Sequence, residues 1–468
     1  MKAAVIGGGI AGVSAAYELA RSGVGFTLYE ASHRLGGIVE TVRRDGFVIE
    51  CGPDSWVTEK RWARELAVEL GLADEIIPSN DHLRRTYIAQ ARELVAMPDG
   101  MRMMVPTKWE PLLSSPLFSW QARLAYLREP KRADELKQSA LAEDADESVA
   151  SFVRRHFGDE VTDTIAAPLL AGVFGGSIDV LSVRAVMPAF VKMEREHGSL
   201  ITALQKSIRR SGSAPVFTTL RSGLQTLVDR MVAALPASSL RLGDAVTQIS
   251  RSGEKWRIQT SSGAEEFDAV VAATPADVTR SLLAPLHSDF DKLLSMDASS
   301  AIVVALAFAP EKAKSLRIPR GFGFLVPQTK AADPDREPQL LACTFVEQKF
   351  AHRVPEGAVL LRAFFGGEAA PRLLDAPEEE IVSLARRQLS LLLGPLPEAS
   401  FTVVRRWPRS LPQYAVGHPE RMARLDEQVR AFPGLQLAGN AYYGVGLPDL
   451  VRQGREIARR LVSPSPYL

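Results

Sequence analysis

Lys2-Ala3-Ala4-Val5-Ile6-Gly7-Gly8-Gly9-Ile10-Ala11-Gly12 opens the chain, and a second apolar run from Val24 to Glu30 follows at the spacing of a βαβ unit. Lys2 to Ile6 reads as a short buried strand, Ala11 to Arg21 as a helix opening directly from the glycines, and Val24 to Glu30 as a second strand. Gly7, Gly9 and Gly12 stand as G-x-G-x-x-G between strand and helix, with Gly8, Ile10 and Ala11 as the intervening backbone. The first glycine allows a tight turn, the second lets backbone approach a pyrophosphate, and the third lets helix pack closely on strand. The helix N-terminus adds N–H donors and a positive dipole end for phosphate. Glu30, followed by Ala31, closes the second strand at roughly the 20-residue offset where an acidic side chain reaches a ribose hydroxyl. The motif alone is a weak signal, but two strands, a helix and the acidic residue together point to a dinucleotide. Whether that is FAD or NAD is open at this point. His33-Arg34-Leu35-Gly36-Gly37 adds an arginine that can meet phosphate and a Gly-Gly pair that lets backbone pass close to a cofactor. Glu50-Cys51-Gly52-Pro53-Asp54-Ser55 is a second turn rich in backbone donors, suited to a flavin ring.

The rest of the chain bounds the class. Its 468 residues, 46% hydrophobic and 24% charged, are enough for about three domains and a sizeable core. That composition excludes disorder, collagen and coiled coil as the main architecture. Lys+Arg total 56 against 55 Asp+Glu, so no global basic field draws the chain onto nucleic acid. Cys51 and Cys343 are too few for a disulfide framework or a zinc cluster, and no helical pair exists among the seven histidines, so no metal is expected. The opening has no signal-peptide pattern, and no run approaches the ~18 apolar residues of a spanning helix. A cytoplasmic, reduced-compartment globular enzyme or binding protein is the expectation.

Further along, Trp62 to Leu70 has helical spacing and stops at Gly71. From Tyr87 to Arg210 the texture becomes that of a mostly helical insertion, with helices expected around Glu147 to Phe157, Glu160 to Leu170 and Val183 to Glu196. Strands return from Leu240 to Ala273 and again over Ser300 to Phe308, Gly321 to Pro327, Gln339 to Phe345 and Val359 to Phe365. Glu378 to Leu393 reads as a helix, Leu435 to Ala438 as a strand, Pro448 to Val462 as a closing helix, and Ser463 to Tyr467 as a frayed end.

At the two N-terminal turns the chain resembles the flavin amine oxidase superfamily, in which FAD lies extended between the first βαβ unit and a motif near the C-terminus. That motif stands here as Gly439-Asn440 and Gly444-Val445-Gly446-Leu447-Pro448. Asn440, Val445, Gly446 and Leu447 match cofactor-binding positions, as do Gly52, Pro53, Asp54 and Ser55. Trp407 in Arg405-Arg406-Trp407-Pro408 matches the position near the flavin, and Val246 the strand position that holds adenine through backbone. Within the superfamily the chain is similar over nearly its whole length to the oxygen-dependent porphyrinogen oxidases of haem synthesis. PLLAGVFGG (168–176), KMEREHGS (192–199), GFGFLVP (321–327) and LPQYAVGH (411–418) carry that resemblance.

The resemblance implies an α/β protein with an α+β substrate lobe: a Rossmann-like FAD-binding domain, a strand-rich substrate domain and a helical insertion. The expected boundaries are 1–80, 211–290 and 432–468 for FAD, 81–90 and 291–431 for substrate, and 91–210 for the helices. It further implies non-covalent FAD, O2 as acceptor, and a porphyrinogen aromatised in three two-electron steps with release of H2O2. Met97-Pro98-Asp99-Gly100, Val105-Pro106-Thr107-Lys108, Cys343-Thr344-Phe345, Pro355-Glu356-Gly357 and Gly446-Leu447-Pro448-Asp449 look more like the coproporphyrinogen III type. The mitochondrial-type protoporphyrinogen IX oxidases differ at two positions, a propionate-pairing arginine that is Thr86 here and a ring-clamping aliphatic residue that is Thr344. Coproporphyrinogen III is therefore the expected substrate, with protoporphyrinogen IX the alternative.

By the same resemblance the Gly172 carbonyl faces the pyrrole N–H groups, and Leu325 and Phe364 pack on the macrocycle. Arg84, Arg85, Lys192, Arg362 and His418 are the cations available to propionates. No side chain is assigned as catalytic acid, base or nucleophile, because the flavin supplies the chemistry. Lys108 to Arg132 mixes Trp109, Leu112, Leu113, Leu117, Phe118 and Trp120 with Arg123, Arg128, Lys131 and Arg132, a pattern for either a peripheral contact at the inner face of the cell membrane or a lid. Homodimerisation and hand-over of product to a ferrochelatase also fit the resemblance. A monoamine or polyamine oxidase, the more remote alternative, would share the FAD fingerprints, but the flavin-linking cysteine of monoamine oxidases is absent between Asn440 and Gly446; an NAD(P)H-dependent flavoprotein reductase would show a second interior G-x-G-x-x-G, and none stands here. A carotenoid desaturase would lack the four ordered segments, and a non-catalytic flavoprotein would be yellow yet consume no O2.

Overall fold

The structure, a computed structural model, describes residues 1–140, 142, 145–208, 215–328 and 337–462. The expected frayed tail at Ser463 to Tyr467 and the expected boundary at 210/211 lie outside these residues. The chain divides into two compact units: Met1–Ser79, Pro215–Asp297 and Glu420–Leu468 form one, Asn80–Ala214 and Ala298–Pro419 the other. Residues 91–210, expected as a domain of their own, share a unit with the strands after Ala298, and the helix His418–Arg430 falls mostly in the first unit.

The first unit is built on an all-parallel sheet of five strands in the order Leu240–Leu242, Gly25–Glu30, Lys2–Ile6, Ala269–Ala272, Leu435–Leu437. Ala3 to Ile6 and Ala269 to Ala272 are fully covered, as parallel strands with helices on their faces require. The helix Ile10–Arg21 packs on the last helix, Leu447–Val462. Their approach is close because Gly454 has no side chain: a methyl there would overlap the Ala11 carbonyl. Glu18 locks the pair, accepting from Arg455 Nε at 2.6 Å and Arg459 Nε at 2.8 Å. The order places the glycine loop at the carboxyl end of the central strand, where open α/β sheets bind ligands. A hairpin, Thr41–Arg44 with Phe47–Glu50, which the sequence pattern did not announce, turns on Asp45 and Gly46, both with positive φ.

The second unit holds a seven-stranded sheet in the order Phe401–Pro412, Ala298–Phe308, Val359–Phe365, Leu340–Phe345, Gly323–Leu325, Thr86–Gln90, Glu93–Ala96. All pairs are antiparallel except Gly323–Leu325 with Thr86–Gln90. Tyr87, Phe324, Cys343, Ala363, Phe365, Ile302 and Val304 point to one face and form a core with Ile381, Leu384 and Leu389 of the helix Glu378–Leu393. Each such aliphatic side chain stabilises the unit by roughly 1.5–3 kcal/mol. The strand Phe401–Pro412 does not read as a strand in sequence because Arg405, Arg406 and two prolines interrupt its alternation. It lies on the sheet edge, where proline is tolerated. The expected helical insertion begins later than Tyr87: strands run to Val105–Pro106, and helices start at Trp109–Ser114.

Candidate functional site

In the first unit the three glycine turns and the acidic residue meet. Gly36 N donates to the Gly8 carbonyl at 2.7 Å, and Gly9 and Gly36 form a parallel bridge. A methyl at Gly8 would strike Leu35, one at Gly12 would overlap the Gly7 carbonyl, and one at Gly52 would overlap the Ile38 carbonyl. At Gly9 it would project into open space. Three of the glycines therefore serve close packing, and Gly9 keeps a face clear. The helix beginning at Ile10 has no side-chain cap and no acidic residue in its first turn, so its positive end is left for an external anion.

Glu30 anchors this loop: Oε2 accepts from Gly8 N at 2.7 Å and Oε1 from Ser32 N at 2.8 Å. A carboxylate has about four acceptor positions, so it still has capacity for ribose hydroxyls. Asp244 N donates to the Glu30 carbonyl at 3.1 Å, which brings Val246, at the start of its strand, to the same end of the sheet. Gly52 to Ser55 follows directly from Cys51, whose N–H donates to the Glu40 carbonyl at 2.8 Å. Arg34, expected to meet phosphate, has a structural task as well. Its guanidinium donates to the carbonyls of Leu35 (3.1 Å), Val39 (3.0 Å) and Gly37 and to Gln225 Oε1 (3.2 Å), so it staples the Gly36-Gly37 turn.

The C-terminal motif closes the first unit's site. Asn440 follows Gly439, and Val445, Gly446 and Leu447 lead into the last helix. Gln453, buried on that helix, donates to the Tyr443 carbonyl at 3.0 Å and accepts from Gly439 N at 3.4 Å. The buried Asp449 carboxylate fills the space left by side-chain-free Gly444 and Gly446, and Lys60 Nζ reaches it at 2.6 Å.

In the second unit, strand register puts the expected substrate residues together. Gly323 pairs with both Thr86 and Thr344, and Thr344 with Arg362; Leu325 pairs with Ala342, Ala342 with Phe364, and Phe364 with Val303. Directly paired residues share a face. Thr86, Leu325, Thr344, Arg362 and Phe364 thus line one face, opposite the apolar core, and Trp407, paired with Ala301, is on it too. Arg362 is 1% exposed, and its guanidinium lies 5.0 Å from the Phe364 ring centroid. Thr86, Leu325, Thr344, Phe364 and Trp407 are all half-buried, while the residues between them on each strand are mostly buried. The helix Ala167–Phe174, preceded by a π turn at Thr162–Ala166, packs on three of these strands without joining the core on the far face. It therefore lies across the Thr344 face. Gly172 in its last turn has open space where a side chain would begin.

The other cations divide. Lys192 is solvated and pairs with Glu196 at 3.7 Å, and Arg84 and Arg85 are exposed. His418 is buried and stacks on Tyr414 at 4.0 Å between centroids. Within Lys108 to Arg132, Leu112, Leu117 and Phe118 are buried, whereas Trp120 is 68% exposed. No helix among the described residues is long and apolar enough to cross a membrane.

A family model described as flavin-containing amine oxidoreductase matches residues 10–462. The chain belongs to this family. The flavin amine oxidoreductase fold here carries an FAD-dependent oxidoreductase, and the residues fit that cofactor: an uncapped helix start, the clear face at Gly9 and a carboxylate at the second strand's end suit its diphosphate and ribose. Over 96% of both chains it is 33% identical to the Bacillus subtilis coproporphyrinogen III oxidase, and over 98% of both it is 30% identical to the Staphylococcus aureus enzyme of the same name. Among solved structures it is similar to an Exiguobacterium protein assigned as a protoporphyrinogen oxidase, at 30% identity, 98% coverage of both chains and a TM-score of 0.84.

Lys60, Asp449, Gln453 and Gln413 escape sequence reasoning. Each is an ordinary polar residue in sequence; Lys60, Asp449 and Gln413 find partners in distant segments, and Gln453 binds the turn just before its own helix. The weak signal available is a buried-type position, such as Asp449 beside Leu447 and Leu450, occupied by a polar side chain.

Proposed function

We propose that this flavoenzyme oxidises coproporphyrinogen III to coproporphyrin III. Bound FAD supplies hydride acceptance and reoxidation by O2, so six electrons leave the macrocycle in three steps and three O2 become three H2O2. The observation that carries this reading is the common sheet face. The residues that the porphyrinogen-oxidase resemblance assigns to the macrocycle and flavin edge, spread from Thr86 to Trp407, lie together on it. Leu325 and Phe364 offer apolar and aromatic surface to a flat ring. The Gly172 carbonyl, at the negative end of its helix, is an acceptor for pyrrole N–H groups. Arg362 supplies a cation on the same face for a propionate. Glu30, Gly8, Gly9 and the start of the first helix hold the adenosine and diphosphate half of FAD, and Gly444 to Leu447 offer backbone donors to the flavin half.

Thr86 and Thr344 make the face more polar than an aliphatic clamp would, which favours four propionates over the two vinyl groups of protoporphyrinogen IX. The solved relative named for protoporphyrinogen keeps that substrate as the comparison arm. The test is anaerobic flavin reduction with both porphyrinogens side by side. Faster reduction by coproporphyrinogen III is expected; faster reduction by protoporphyrinogen IX overturns the substrate choice. Exposed Trp120 and Leu127 on one face of the helix Trp120–Arg128, beside Arg128 and Lys131, support a peripheral contact with anionic lipid. Flotation with anionic liposomes checks it, and recovery wholly in the unbound fraction removes it.

A further inference from the structure

Two segments that carry the porphyrinogen-oxidase resemblance, 168–176 and 411–418, are clasped together in the second unit. Just beyond the first segment, Ser182 N donates to the Tyr414 carbonyl at 2.7 Å and the Val180 carbonyl accepts from Val416 N at 3.0 Å. At the centre is Gln413, 8% exposed. Its Nε2 donates to the carbonyl of Phe174, the last residue of the helix Ala167–Phe174, at 2.5 Å, and to the Leu411 carbonyl at 3.0 Å. Close approach needs the glycine pair: a methyl on Gly176 would overlap the Gln413 amide, and one on Gly175 would come within 2.8 Å of Leu411 Cδ1.

A helix leaves its last four carbonyls without intrahelical partners. Here the Ala171 carbonyl accepts from Gly175 N at 2.8 Å and the Phe174 carbonyl from Gln413, while Gly172 lies between them beside open space. Gln413 immediately follows the edge strand that carries Trp407. One amide thus fastens the end of the helix bearing Gly172 to the strand bearing Trp407.

We infer that Gln413 is a positioning residue for hydride transfer: by fixing the end of the helix Ala167–Phe174 it sets where the Gly172 carbonyl stands over the face of Thr86, Leu325, Thr344 and Phe364. This rests on the proposed substrate. A misplacement of about 1 Å in such a site lowers a rate by about 100-fold. The experiment is anaerobic stopped-flow reduction of the holoenzyme flavin by coproporphyrinogen III in wild type, Gln413→Leu, Gly176→Ala and Gln413→Glu. Gln413→Leu and Gly176→Ala are expected to lower the limiting reduction rate by roughly 10- to 100-fold. Substrate affinity should change less than about threefold, and the flavin spectrum and FAD content should stay at wild-type levels. Gln413→Glu provides the signature that a merely structural role would not produce. Its protonated carboxyl donates to the Phe174 carbonyl as the amide does, and its carboxylate repels it. The variant's rate should therefore recover at low pH and fall as the carboxyl ionises, relative to wild type.

Variant rates within threefold of wild type overturn the proposal, as does a loss confined to substrate affinity or a Gln413→Glu profile parallel to wild type. If Gln413→Leu fails to fold, the pH profile of Gln413→Glu decides by itself. A wild-type flavin that neither porphyrinogen reduces overturns the substrate reading and this proposal with it. A normal wild type with unaltered variants overturns only the proposal.

Discussion

Thr344 and Arg362 stand directly opposite each other on antiparallel strands, and the Arg362 guanidinium leans over Phe364 at 5.0 Å. A hydroxyl, a buried cation and an aromatic ring thus adjoin on one half-buried surface. Thr344→Val keeps the shape and removes the hydroxyl. It is expected to shift the ratio of kcat/KM toward protoporphyrinogen IX by about fivefold, the effect of ~1 kcal/mol from one hydrogen bond. Steady-state kinetics on both substrates measures it, and an unchanged ratio removes Thr344 from substrate discrimination.

Gly9 and Gly12 should respond oppositely to the same methyl. Gly9 has open space and a negative φ of −66°, so Gly9→Ala should fold with an unaltered apoprotein Tm yet bind FAD at least about tenfold more weakly. Gly12→Ala forces a methyl against the Gly7 carbonyl and should lower the apoprotein Tm itself. Scanning calorimetry of apoprotein with FAD titration by fluorescence separates the two. Equal behaviour would contradict the division of labour between the glycines.

Lys60 reaches Asp449 at 2.6 Å across two segments that both border the expected flavin site. Lys60 is half-exposed, so its loss should weaken the pair by about 1 kcal/mol rather than by a fully buried amount. Lys60→Met is expected to raise the FAD Kd about fivefold. Adding Asp449→Asn should bring little further loss if the two act as a pair; fully additive losses would show that they do not.

His156 is enclosed by carboxylates. Nδ1 lies 3.0 Å from Glu129 Oε1 and Nε2 2.9 Å from Glu194 Oε1. Ser199 Oγ and Leu200 N also donate to Glu129, Arg155 pairs with Glu194 and Glu147, and Arg132 acts on Glu129 from its own turn. Burial pushes the imidazole pKa down, but the two carboxylates outweigh it and raise the pKa above its ordinary value. Burial likewise pushes Glu194 up, and His156 and Arg155 more than reverse that. A raised histidine pKa stabilises the fold fully below the ordinary histidine range and loses that contribution as pH rises through the raised value. His156→Gln removes the cation between two buried carboxylates but leaves Glu194 paired with Arg155 and Glu129 bonded to Ser199 and Leu200, so it should cost about 3 kcal/mol at pH 6, the low end for a broken buried pair. The Tm gap to wild type should narrow toward pH 9. A pH-independent gap would mean that folding leaves the His156 pKa unshifted.

Most of the first unit is legible in its amino acids. Lys2–Ile6, the glycine turn, Gly25–Glu30 and the final helix each announce themselves within a dozen residues, through apolar runs and residues that permit unusual backbone. Glu378–Leu393 is equally plain from its helical spacing. The edge strand Phe401–Pro412 is not, because its partner strand lies far along the chain; the hairpin at Thr41–Glu50 pairs locally through an Asp45-Gly46 turn that apolar runs alone do not reveal, and the Arg34 contacts exist only once the Gly36-Gly37 turn is folded.

What the sequence determined alone is local: a βαβ unit with a dinucleotide-type glycine turn, the acidic residue that ends its second strand, and segments similar to those of porphyrinogen oxidases. Backbone freedom and hydrophobic period act over a few residues, so they can be read there. Only the tertiary structure decided that Thr86, Leu325, Thr344, Phe364 and Trp407 share a face, and that Gln413 fastens a helix end beside it. Sheet order and register set those facts, and a slip of one residue in any strand would turn its side chains to the opposite face.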